Sequence, residues 1–147
     1  VLNGDTYFGV DYVDFLARFS ELSSTQNAKG IIALSKVKDE SQFGTVKFDP
    51  QTMQLVGFHE KTEGGKGTGW VNAGAYILEK SLVVCFAPAN KKMSIETEFF
   101  PSVENANEVL GVYLSENDFF DIGTPESLEA FINFYLDQTD GTQTPDH

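Results

Sequence analysis

The chain is poor in the residues that build most polar reaction centres. It has one cysteine, Cys85, among 147 residues, so no disulfide forms within it, which fits a reducing, cytoplasmic compartment. Inside "LVVCF" that thiol reads as a buried core side chain. Its two histidines are His59 and His147, too few for a zinc cluster and a poor basis for Ser-His or Cys-His catalysis. Positive charge is also scarce: ten Lys and Arg stand against twenty-two Asp and Glu, a net charge of -12. That balance repels phosphodiester backbones and anionic lipid headgroups over a Debye length of about 8 Å, which argues against nucleic acid and membrane surfaces as partners. An anionic small molecule can still be held by a local lysine and a metal ion. No apolar run approaches the roughly twenty residues that cross a bilayer, and no signal peptide is evident.

What is present suffices for one core. Hydrophobic residues make up 41% of the chain and thirteen are Phe, and a domain of this size buries about two thirds of its unfolded surface. A single domain is expected over residues 1–136, followed by a polar, flexible tail over 137–147. The opening "VLNGDTYF" enters a strand near its carboxyl end, since only Val1 and Leu2 precede the Asn-Gly turn and a mean strand has about five or six residues. The first element therefore reads as cut, and the chain as a piece of a larger fold.

Periodicity supplies the elements. "DYVDFLARFSEL" places Tyr12, Phe15, Leu16, Phe19 and Leu22 on one helical face with Asp11 as N-cap. "IIALSKV" is an apolar run of the kind that forms a strand covered on both faces. "FGTVKFD" and "MQLVGFHEK" flank Asp49-Pro50-Gln51-Thr52, a turn signal, and predict an antiparallel hairpin at a sheet edge. The Gly-rich "TEGGKGTG" predicts a mobile loop between strands, and "WVNAGAYIL" a buried strand in which Gly74 permits close approach. "SIETEFFPSVEN" reads as a helix capped by Ser94, with Pro101 at an end or kink. "VLGVYLS" is a further strand. In "TPESLEAFINFYL", Thr124 caps, Pro125 takes the first turn, and Leu128, Phe131, Ile132 and Tyr135 form the apolar stripe. The sum is an α/β domain with a mixed sheet, in which ligands bind beyond the carboxyl ends of strands.

Two acidic residues fall at such ends: Asp5 after "VLNG" and Asp121 in "FFDIGTPE". As neighbours they would offer hard oxygen ligands to Mg²⁺, which takes one or two carboxylates plus phosphates and water. Singly, each also reads as a turn residue or helix anchor. Glu60-Lys61 closes a strand before the Gly-rich loop. Lys61 can pair with a phosphate, a charge-assisted bond worth about 1.5–3 kcal/mol, or stand as half of a solvated ion pair.

"VLNGDTYF", "FGTVKFD", "GFHEK", "GWVNAGAYIL", "SIETEFFP" and "FFDIGTPE" together resemble, in order and spacing, the sugar-phosphate nucleotidylyltransferases, the mannose-1-phosphate and heptose-1-phosphate guanylyltransferase group in particular. The resemblance implies a Rossmann-like mixed α/β sheet and a reaction that joins a nucleoside triphosphate to a sugar 1-phosphate with release of pyrophosphate. It implies Asp5 and Asp121 as the catalytic, Mg²⁺-binding pair. It also implies Gly44, Glu60, Lys61, Asn72 and Gly74 as the sugar-phosphate pocket, with Glu60 on sugar hydroxyls and Lys61 on the phosphate.

The family's Gly-rich signature, Gly-x-Gly-Thr-Arg-Leu with a downstream Pro-Lys, does not occur. The expectation is an N-terminally truncated nucleotidyltransferase fold that retains the metal and sugar-phosphate side, with activity dependent on a triphosphate site supplied elsewhere. The alternatives are a catalytically silent sugar-phosphate-binding or protein-interaction domain, dimeric through its exposed sheet edge, and a metal-dependent glycosyltransferase-like domain.

Overall fold

Asp11 starts the first helix. Its Oδ1 accepts hydrogen bonds from the backbone N–H groups of Val13 (2.9 Å) and Asp14 (3.1 Å), pairing two of the donors that a helix start leaves open. The computed structural model describes residues 1–37, 45–59 and 69–140. Within them α1 runs Tyr12–Gln26 and ends at Asn27, whose left-handed backbone turns the chain toward the sheet. Phe15 and Leu22 are buried, with Phe19 packed beside them. Tyr12 and Leu16, expected on the same face, are exposed. The buried row follows positions i, i+4 and i+7; Leu16 sits about 100° round the helix from Phe15, and Tyr12 lies in the opening turn.

The central strand is β2, Gly30–Val37 after a short β1 at Thr6–Phe8. Ile31, Ile32, Ala33 and Leu34 are wholly buried. Alternate residues enter two separate cores, as a period of two dictates: Ile31 and Ala33 join Phe15 and Leu22, while Ile32 and Leu34 join Tyr76, Phe100 and Val103. The continuous apolar run is thus a strand covered on both faces.

β3 (Thr45–Asp49) and β4 (Gln54–His59) form the expected antiparallel hairpin. Asp49 Oδ1 accepts from Gln51 N–H at 2.8 Å, and that bond leads the causes that hold its carboxyl below the usual range. The hairpin is not at an open edge, however. Thr45 pairs with Val71 of β5 (Gly69–Leu78), and Gln54 pairs with Gly111 of the later strand β6 (Leu110–Ser115). These five strands therefore close in the ring β2-β5-β3-β4-β6. The sheet is mixed: β2 runs parallel to β6 and antiparallel to β5.

Between β5 and β6 lie three helical pieces. α2 (Lys80–Phe86) was not read from the sequence, and it corrects the reading of Cys85, which is exposed. A short surface helix buries one row, here Leu82 with Phe86 at i+4, and Cys85 is off that row. A π-helical turn then spans Ile95–Phe99, with Ser94 Oγ accepting from Thr97 N–H at 3.2 Å. Pro101 falls in the first turn of α3 (Phe100–Asn105), where a missing N–H costs nothing.

The first and last described strands meet in a second, two-stranded sheet. β1 pairs antiparallel with β7 (Phe119–Asp121), Thr6 facing Asp121. α4 follows at Pro125–Asp140, capped by Thr124 Oγ1 on Ser127 N–H at 3.2 Å. It extends past residue 136, where the tail was expected. Of its stripe, Phe131 packs its ring at a tilt against Tyr7 and Phe120, whereas Leu128, Ile132 and Tyr135 stay exposed. No described helix is long and apolar enough to cross a membrane.

Candidate active site

Two backbone features bring the acidic ends together. Val1–Asn3 lies along β5: Val1 and Tyr76 exchange N–H···O bonds of 2.9 Å, and Asn3 N–H donates to the Gly74 carbonyl at 2.8 Å. Beyond that segment the chain turns at Gly4-Asp5 into β1, and Ile122 N–H donates to the Asp5 carbonyl at 2.8 Å. Asp5 and Asp121 are thereby fixed on neighbouring backbones.

Their carboxylates converge on Gly123. A Cβ there would lie 3.1 Å from Asp121 Oδ1 and 3.6 Å from Asp5 Oδ2, so glycine leaves open the space that both side chains border. Gly123 N–H donates to Asp121 Oδ1 at 3.0 Å, which orients one carboxylate from the backbone. Both aspartates are exposed. The donor set is oxygen only. Among the described residues no three His, Cys, Asp or Glu side chains cluster as a metal cage, and two carboxylates that leave the remaining positions to water and phosphate suit Mg²⁺ better than such a cage.

The second group forms around β5. Leu34 faces Asn72 and Ile32 faces Tyr76, so Ala73, Gly74 and Ala75 together stand opposite Ala33. Gly74 takes a positive φ of 71° in that bulge, a backbone that side-chain-bearing residues seldom adopt. Asn72 Oδ1 accepts from Gly74 N–H at 3.1 Å, and Asn72 Nδ2 donates both to the Tyr76 hydroxyl (2.8 Å) and to Glu96 Oε1 (2.6 Å). Burial pushes the Tyr76 hydroxyl up to about 12; the Asn72 bond opposes this, Glu96 adds its charge, Asn3 opposes, and Asp5 adds its charge. One buried phenol is thus bonded to Asn72 and feels the charge of two carboxylates, Glu96 and Asp5.

Of the seven residues expected from the sequence, Asp5 and Asp121 are adjacent, and Asn72 and Gly74 share the bulge. Gly44, Glu60, Lys61 and the Gly-rich loop lie outside the described residues. Asn3 and Gly4 stand with Asp5 at the strand end where a ligand is expected, whereas two participants were not singled out: Tyr76 and Glu96. The signal for Glu96 was present in "SIETEFFP", where a Ser cap places an acidic residue in an exposed first turn. It read only as helix chemistry, because nothing local shows that the turn faces β5.

A family model described as nucleotidyl transferase matches residues 1–138. The mannose-1-phosphate guanylyltransferase catalytic subunit beta of Dictyostelium discoideum is 28% identical over 143 residues, 97% of this chain and 38% of that protein. The D-glycero-alpha-D-manno-heptose 1-phosphate guanylyltransferase of Campylobacter jejuni is 35% identical over 133 residues, 90% of this chain and 53% of that one. Among solved structures, HddC from Yersinia pseudotuberculosis complexed with GMP-PN superposes with a TM-score of 0.72 at 29% identity, covering 92% of this chain and 54% of HddC. The chain spans about half, or less, of the length of each of these relatives.

Proposed function

This chain belongs to the nucleotidyl transferase family, and we propose that it forms the metal and sugar-phosphate side of an enzyme that makes an NDP-sugar and pyrophosphate from a nucleoside triphosphate and a sugar 1-phosphate. The observation that carries this reading is the convergence of Asp5 and Asp121 over Gly123. The relatives named for mannose 1-phosphate and heptose 1-phosphate support hexose or heptose 1-phosphates as the substrate class.

In the reaction an oxygen of the sugar phosphate attacks the α-phosphorus; the new O–P bond forms as the bond to the β-phosphate oxygen breaks, and pyrophosphate leaves. The protein's part is positioning and control of charge. Asp5 and Asp121 would hold a divalent cation, Mg²⁺ by the hardness of the donors, and such a cation supplies neutralisation of phosphate charge. Asp121 Oδ1 accepts from the Gly123 N–H, which holds in place the carboxylate that would bind the cation. Lys61 would take the sugar phosphate and Glu60 the sugar hydroxyls, with Gly44 and Gly74 allowing the ring to approach the backbone. A reducing, cytoplasmic setting fits the single cysteine. The exposed apolar residues of α1 and α4 support association with further polypeptide, a second copy included.

The test is pyrophosphate release with Mg²⁺ across the nucleoside triphosphates and a panel of hexose and heptose 1-phosphates, with D5N and D121N as controls. Turnover that both substitutions abolish supports the reading. Silence from folded protein, together with no cation-dependent binding of any sugar 1-phosphate, overturns it.

A further inference from the structure

The family resemblance implies a place for Asn72 in the sugar-phosphate pocket, but its bonds indicate a different role from direct contact. A carboxamide has two N–H donors and two acceptor lone pairs. Both donors of Asn72 are committed, to Tyr76 and Glu96, and its oxygen holds the Gly74 N–H. Little capacity is left for a ligand. Glu96 is the opposite case: it is exposed, its Oε1 takes the Asn72 bond at 2.6 Å, and its Oε2 has no hydrogen bond to another described residue. A carboxylate held through one oxygen with the other free suits a sugar, whose vicinal hydroxyls donate well to a charged acceptor.

We propose that Asn72 is a positioning residue that acts through Glu96, and that the free carboxylate oxygen of Glu96 accepts from the hydroxyls of the sugar 1-phosphate. Three parts of the structure converge on this arrangement. Tyr76, 2% exposed, anchors one Asn72 donor from the core side. The β5 bulge, set by Gly74 at positive φ, presents the carboxamide. On the far side, the π-helical turn is tied down at its start, where Glu98 Oε2 accepts from Ser94 N–H at 2.9 Å and Ser94 Oγ accepts from Thr97 N–H. Glu96 therefore sits on a turn that is fixed at its base, and Asn72 fixes its head. Specificity for the sugar would then arise on the turn that follows β5 and α2 in the chain.

The inference rests on the proposed substrate class, and its test separates the two. Calorimetric titration of mannose 1-phosphate into the full chain with Mg²⁺ is compared for wild type, N72A, E96Q and the double variant, with inorganic phosphate as a second probe. Each single substitution is expected to weaken mannose 1-phosphate by about tenfold, the double variant to bind no worse than E96Q, and inorganic phosphate to be unaffected. Equal further loss when N72A is added to E96Q would mean that Asn72 touches the sugar itself, and would overturn the proposal. Y76F, which removes an anchor of Asn72 from outside the pocket, serves if N72A does not fold, and its effect should likewise vanish in the E96Q background. A ligand-free readout runs beside these: the Asn72 side-chain NH₂ resonances should shift in E96Q, and if they do not, the positioning bond is absent and the proposal fails. If they shift but wild type binds no sugar 1-phosphate, the bond stands and the proposed function falls.

Discussion

The side chain of Asn3 fills the space that a Cβ on Gly74 would need. Its Cβ, Cγ and Nδ2 all lie 2.9 Å from that position, while the Asn3 N–H donates to the Gly74 carbonyl. The first residues of the chain are thus seated on a bulge whose positive φ and close approach both favour glycine.

Gly74→Ala should therefore destabilise the fold twice over. A positive φ at a non-glycine residue costs about 1–3 kcal/mol, and the added methyl expels Asn3 from its seat. Urea denaturation should show a lowered midpoint, and Asp5, two residues beyond Asn3, should lose its place, so cation binding should weaken more than stability alone explains. An unchanged midpoint would contradict the bulge.

Gly123→Ala tests the aspartate pair more locally. Its methyl would meet Asp121 Oδ1 at 3.1 Å, so that carboxylate must give by a few tenths of an ångström, and would touch Asp5 Oδ2 at an ordinary contact of 3.6 Å. Binding of Mn²⁺, followed by electron paramagnetic resonance, should weaken several-fold while the thermal midpoint changes little.

Alkaline titration addresses Tyr76. Burial raises its hydroxyl to about 12 from 10.0, so the native state holds this proton more tightly than the unfolded chain does. The associated stability is present in full below about pH 10 and is lost as pH rises toward 12. Tyr113, whose hydroxyl donates to Asp14 Oδ2 at 2.9 Å, is also raised to about 12, by burial first and by Asp14 next. Tyrosinate absorbance of the native protein should lack two groups until pH approaches 12, and Y76F should remove one of them.

Cys85 should react in the folded state. It is exposed on α2, so a maleimide should label the native protein to one equivalent without denaturant. Protection until unfolding would restore the reading of that thiol as core.

Much of the fold was legible because short-range chemistry controls it. Asp11 caps α1, Thr124 caps α4, and Asp49 turns the hairpin, each through bonds to residues two or three positions away. The misreadings occur where distant packing decides. Leu16 and Cys85 have apolar neighbours in sequence, but which helical row is buried depends on the partner surface. The ring closes through Thr45 with Val71 and Gln54 with Gly111, pairings that no local pattern encodes. The site divides the same way. Asp5 and Asp121 stand out as carboxylates at strand ends, whereas Tyr76 and Glu96 acquire meaning only through Asn72.

The ribbon of β1 and β7 joins the first and last strands of the chain, and the acidic pair exists only across it. A chain in which β1 and β7 have not paired keeps the two aspartates apart, and a lone exposed carboxylate retains Mg²⁺ poorly against water. Were the pair to hold a cation as proposed, its capture would be a signature of completed tertiary structure, and the onset of binding during refolding would time the moment at which Thr6–Phe8 pairs with Phe119–Asp121.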